Sequence, residues 1–121
     1  MDSRITHEHR QRLQRSSEVY LASCYERRTP ARVSEFAEMI DRNPEYLNRR
    51  SVRISGKTLL AFLRMEQLKE AERLLTTTPL TIAEIAVAAA FGDPATLWRA
   101  FKRYRGISPS QVREVRNCKK N

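Results

Sequence analysis

A chain of 121 residues carrying a net charge of +9, with 23 Lys and Arg against 14 Asp and Glu, has room for one small domain or for two very small ones sharing a linker. Three glycines, five prolines and the lack of long β-branched runs point to an all-α fold, and a 40% hydrophobic content supplies a modest core. No apolar run approaches the ~18 residues of a membrane span, and the opening MDSRITHEHRQRLQR has no apolar segment behind its charges, which argues against a secretory signal.

In chain order, residues 1–28 read as a disordered start followed by a helix, whose apolar stripe is Leu13, Tyr20, Leu21 and Cys24, with Ser16 and Ser17 interrupting it. This helix either packs on the core or mediates self-association into a homodimer. His7 and His9 have no Cys or acidic cluster beside them to complete a metal site and are expected to be exposed. Residues 29–58 form a first helix–corner–helix unit. Residues 59–76 form a connecting helix with a stripe of Leu60, Leu63, Gln67, Leu68, Ala71, Leu74 and Leu75. Three acids (Glu66, Glu70, Glu72) cancel three bases (Arg64, Lys69, Arg73) on the rest of its surface, so it reads as a solvated connector.

Residues 77–113 form a second unit, and residues 114–121 a basic tail. Thr81 and Glu84 make a T-x-x-E capping box ahead of a helix whose buried face is Ile82, Ile85, Ala86 and Ala89. Asp93 and Pro94 serve as N-cap and first residue of the next helix, which turns Leu97 and Phe101 inward and ends at Gly106. The two units repeat: Thr29-Pro30 matches Thr78-Pro79, Val33 matches Ile82, Glu35 matches Glu84, and Phe36-Ala37 matches Ile85-Ala86. After a one-residue difference in the corner, Asn43-Pro44 matches Asp93-Pro94, Leu47 matches Leu97 and Arg49 matches Arg99. Cys24 and Cys118 are expected to be free thiols in a reducing, cytoplasmic compartment.

The positive charge gathers on the second helix of each unit. Arg49, Arg50, Arg53 and Lys57 follow Tyr46 without an acid, and Arg99, Lys102, Arg103 and Arg105 follow Thr96 in the same way. With a sequence pI near 10.3, this favours a nucleic-acid partner, since a membrane-surface binder carries its bases on one long amphipathic helix. The chain has no Gly-rich phosphate loop, no Cys/His metal set and no nucleophile flanked by a base, so no catalytic residue, cofactor or metal is expected.

From Arg32 to Arg113 the residues resemble the DNA-binding domain of the AraC/XylS family of bacterial transcription regulators. The resemblance is carried by Ile85-Ala86, Phe91, Asp93, Leu97, Arg99, Phe101-Lys102, Gly106, Ser108-Pro109 and Arg113. Four positions depart from the family pattern. Ala90 stands for the usual Gly of the corner, where a left-handed backbone makes Ala costly; Ser51 stands for a Phe, Gln67 for an Arg, and Val112 for an aromatic. The resemblance implies seven helices, two helix-turn-helix units on a long linker, contact with RNA polymerase, and action as a transcription regulator, with an activator expected. Thirty residues ahead of the first unit are too few for an effector-sensing domain, so either control by abundance, by a partner or by self-association is expected, or the chain is a fragment of a longer protein.

On this reading the two recognition helices enter successive major grooves of double-stranded DNA at an asymmetric promoter site. Glu45, Tyr46, Asn48 and Arg49 of the first helix, and Pro94, Ala95, Thr96, Trp98 and Arg99 of the second, face the bases. Arg49 and Arg99 suit guanine and Asn48 suits adenine. Trp98 suits a thymine methyl or sugar edge, or else covers the protein's own surface. Arg50, Arg53, Lys57, Lys102, Arg103 and Arg105 are assigned to phosphates. The alternative is a protein-interaction module that keeps the fold with weak DNA binding; Glu45 at a groove-facing position gives it weight.

Overall fold

The computed structural model describes residues 3–40 and 43–120, the side chains of 3–7 and 116–120 excepted. Among these residues seven helices follow one another: α1 (Ser3–Arg27), α2 (Val33–Met39), α3 (Pro44–Ser55), α4 (Leu59–Thr77), α5 (Ile82–Ala88), α6 (Pro94–Arg105) and α7 (Pro109–Lys120). Among the described residues there is no strand. The chain start is helical from Ser3 rather than disordered, and the expected basic tail continues α7 to Lys120. His7 and Cys118 lie outside the residues whose side chains are described.

The repeat seen in the letters is a repeat of elements. Both α2 and α5 have 7 residues, and both α3 and α6 have 12. Each second helix starts on a capped proline: Asn43 Oδ1 accepts from the Glu45 and Tyr46 N–H groups, and Asp93 Oδ1 accepts from the Thr96 N–H at 2.8 Å. Each ends on a left-handed glycine, Gly56 or Gly106. The helix after each glycine is capped in turn. Thr58 Oγ1 accepts from the Ala61 N–H, and Ser108 and Gln111 form a reciprocal capping box at 3.2 and 2.8 Å.

The start of α5 has the expected Thr81–Glu84 box, both bonds at 3.1 Å. The Thr81 N–H holds the Glu84 carboxyl below its ordinary range. The start of α2 has no such device, because its N-cap residue is Arg32. Tyr20 of α1 serves instead. Its hydroxyl accepts from the Arg32 N–H at 2.8 Å and lies 3.0 Å from the Arg32 carbonyl and 3.1 Å from a Glu35 carboxylate oxygen, the acceptors for its own proton. Burial pushes this phenol well above its ordinary pKa, so the donor is retained.

Helix α4 is the spine of the molecule rather than a solvated connector. Leu59 and Leu63 belong to a first apolar cluster with Tyr20, Leu21, Cys24, Phe36, Ala37 and Leu47. Leu68, Ala71, Leu74 and Leu75 belong to a second with Ile85, Ala86, Phe91, Leu97, Ala100 and Phe101. The face of Glu66, Lys69, Glu70 and Arg73 meets solvent, and it carries two ion pairs. The stripe departs from expectation at its start: Leu60 is 46% exposed, while Leu59 and Phe62 are buried. Ser17, read as an interruption in α1, is fully buried with its hydroxyl donating to the Gln14 carbonyl at 2.8 Å. A polar residue that satisfies itself on its own helix passes as apolar surface.

The corner between α5 and α6 ties the two halves together. Ala90 adopts φ +64, the left-handed conformation expected at the family's glycine, and its methyl lies in the first unit's cluster. Its carbonyl accepts from the Ala31 N–H at 3.0 Å and from Gln67 Nε2 at 2.8 Å. Gln67 is wholly buried; it also donates to the Ala89 carbonyl and accepts from Arg64, whose guanidinium lies over the Phe91 ring. Gly92, at φ +92, faces Pro30, and a Cβ there would meet Pro30 Cγ at 3.1 Å.

Candidate nucleic-acid interface

The face that α6 turns to solvent follows from its periodicity. Burying Leu97, Ala100 and Phe101 leaves Pro94, Ala95, Trp98, Arg99, Lys102 and Arg103 outside. Trp98 is 50% exposed, and Lys102 Nζ lies 5.6 Å from its ring centre. Thr96 is half-buried, and its Oγ1 is 3.5 Å from Arg99 Nη2, a weak contact. Among the described residues neither Arg99 nor Arg49 enters an ion pair. The Asp93 carboxyl nearby is held below its ordinary range, chiefly by the Thr96 N–H and only slightly by Arg99. Lys102, Arg103 and Arg105 occupy the last turn of α6, where cations also complement the helix dipole.

In α3 the buried set is Leu47, Ser51 and Ile54. Glu45, Tyr46, Arg49, Arg53 and Lys57 are exposed, while Asn48 and Arg50 are half-buried. Arg50 Nη1 donates to the Tyr46 hydroxyl at 3.2 Å.

Two assignments need correction. Asn48 Oδ1 accepts from the Leu59 N–H at 2.9 Å, so this half-buried side chain fastens the start of α4 and is not free to read adenine. Arg105 Nε donates to Glu72 of α4 at 3.0 Å and is half-buried, so its charge is spent within the protein. Arg113 likewise works inside the fold. Its guanidinium donates to the Leu75 and Thr78 carbonyls at the end of α4, where positive charge is favoured. The positioning residues that the sequence reading passed over are Tyr20 and Gln111. Gln111 follows Ser108 at capping-box spacing and was readable; Tyr20 acts across 12 residues and was not.

No group of His, Cys, Asp and Glu among the described residues is placed to hold a metal ion. No helix among them is long and apolar enough to cross a membrane.

Comparison with known proteins agrees with this architecture. A family model described as "Helix-turn-helix domain" matches residues 36–114. The Msm operon regulatory protein of Streptococcus mutans is 36% identical over 90 residues, which are 71% of this chain and 31% of that protein. The chain thus spans about a third of that relative's length. Among solved structures, the C-terminal domain of the two-component response regulator yesN from Fusobacterium nucleatum is 25% identical at a TM-score of 0.72, covering 88% of this chain and 98% of that one. The DNA-binding domain of AdpA, solved in complex with a target DNA, shares the fold at a TM-score of 0.70 and 24% identity, over 85% of this chain and 94% of that one. With paired helix-turn-helix units on a shared spine and a family match over most of its length, the chain belongs to the AraC/XylS family of transcription regulators, through its DNA-binding domain.

Proposed function

We propose that α3 and α6 act as recognition helices in successive major grooves of one duplex, and that the second unit carries most of the base discrimination. The observation behind this reading is the outer face of α6, where Arg99 stands exposed beside Trp98 and Lys102 and enters no ion pair among the described residues. Pro94, Ala95 and Thr96 line the leading turn of the same helix. In α3 the readers are Glu45, Tyr46 and Arg49, while Arg50, Arg53, Lys57, Lys102 and Arg103 meet phosphates. The site is asymmetric because the two faces share the arginine pair and the leading proline but differ at Glu45 against Ala95 and Tyr46 against Thr96. A transcription activator that touches RNA polymerase, acts in the cytoplasm and pairs through α1 is consistent with the family, and the reading requires no catalysis.

The test starts from a site selected out of random DNA. Arg99→Ala should weaken that site by ~1–3 kcal/mol, about 5- to 150-fold, and lower affinity for random DNA far less. An equal loss on both would move Arg99 to the phosphate group and remove the discrimination assigned to α6.

A further inference from the structure

The repeat sets Ser51 against Phe101, as it sets Pro44 against Pro94 and Gly56 against Gly106. Phe101 is fully buried and fills the second core. Ser51 is equally buried, with its hydroxyl donating to the Lys57 carbonyl at 2.9 Å, but it brings no apolar bulk. Helix α1 lies over the place where the first unit lacks its aromatic, and it does not close the space. A cavity of about 190 Å³ remains between α1 and α3.

One wall of this cavity is apolar: Leu13 of α1 with Ile40, Leu47 and Ile54. The other carries the guanidinium groups of Arg12 of α1 and Arg50 of α3 beside the imidazole of His9, and the described lining contains no acid. His9, expected to be exposed, is half-buried here. The pocket is partly open to solvent and mixed in polarity, unlike a closed apolar cavity, but its volume exceeds the ~150 Å³ that is enough to take up benzene, so it has room for one ring or a short chain. Guanidinium groups beside an apolar wall select a carboxylate on that ring or chain, because their paired N–H donors match its two oxygens.

We propose that this cavity binds a small organic monocarboxylate, its apolar part in the space that Phe101 fills in the other unit and its carboxylate toward Arg12 and Arg50. Arg50 is hydrogen-bonded to Tyr46 on the helix that faces DNA, so occupancy bears directly on α3. That consequence for DNA rests on the function proposed above; binding to the cavity does not.

The experiment uses the full chain free of DNA, with phenylacetate as the probe and with neutral phenylacetamide and inorganic phosphate as controls, all at millimolar concentration. At tenfold its Kd, phenylacetate should raise the melting temperature by about 4 °C or more. Phenylacetamide should bind at least about tenfold more weakly, in keeping with loss of a charge-assisted pair, and phosphate should leave the melting temperature unchanged. Ser51→Phe fills the cavity and should abolish the response. Arg12→Gln, at a surface position of α1 that leaves the core intact, should weaken binding about tenfold or more and serves if Ser51→Phe fails to fold. The proposal is overturned if phenylacetate has no effect on the wild-type chain, if both variants respond as the wild type does, or if phosphate acts as strongly as phenylacetate. A response to phenylacetate in a chain that selects no DNA site would uphold the cavity and remove the recognition role.

Discussion

The two helix-turn-helix units share their helix lengths, their capped prolines and their closing glycines, yet they hold themselves together differently. The second is self-sufficient: its own Thr81 and Glu84 cap α5, and its own Phe101 fills the core. The first borrows from α1, which supplies Tyr20 in place of a cap and Leu13 beside a missing aromatic. The difference extends to the proposed reading face, since Asn48 is bonded to α4 while its counterpart Trp98 stands in solvent. A duplicated module can therefore keep its backbone while one copy hands part of its packing and capping to a neighbouring helix.

The comparison breaks most visibly at the pair Phe101 and Ser51. Phe101→Ala should cost ~3–5 kcal/mol in denaturant unfolding, while Ser51→Ala should cost about 1 kcal/mol for a lost hydroxyl bond. Similar costs at both sites would mean that the units are packed alike.

Next comes the borrowed cap. Tyr20→Phe should lower stability by ~1–3 kcal/mol, because it strips the Arg32 N–H of its partner. Tyr20 also has a raised pKa in the folded chain, as does Tyr25, in both cases chiefly through burial. The stability each contributes is complete below the unfolded phenol value of ~10 and is lost as pH rises beyond it. Unfolding free energy measured from neutral pH upward should fall above about pH 10, and Tyr20→Phe should reduce the slope without removing it, since Tyr25 remains.

Asn48→Ala should cost ~1–2 kcal/mol of stability, by exposing the first turn of α4, and leave base preference unchanged. A changed preference in site selection would return Asn48 to the reading face. The smallest effect is expected at the corner. Ala90→Gly relieves ~1 kcal/mol of left-handed strain and removes a buried methyl worth ~0.8 kcal/mol, so the unfolding midpoint should barely move.

How far the letters reached can be seen residue by residue. Capping boxes, N-cap prolines and the inward face of α6 are written within four residues of one another, so Thr81, Asp93, Leu97 and Phe101 were all readable. The polar contacts that join distant segments were not. Gln67 reaches carbonyls more than 20 residues away, and Asn48 an N–H 11 residues on, with nothing local to announce either. Leu60 and Leu59 are adjacent leucines at a helix start, and only the neighbours decide which is covered. At the candidate site the exposed arginines were legible as charge, whereas the pairing of Arg105 with Glu72 required the fold.

The Ala90 carbonyl receives one donor from the segment leading into the first unit and another from the spine, which ties the corner ahead of α6 to the unit that carries α3. If α3 and α6 read one duplex as proposed, such a protein measures distance. Adding a single base pair between the two halves of its site turns one half about 35° around the duplex axis relative to the other, and a reader tied at that corner resists following that turn. Spacing along the DNA, as much as the letters at either end, then becomes part of what the protein recognises.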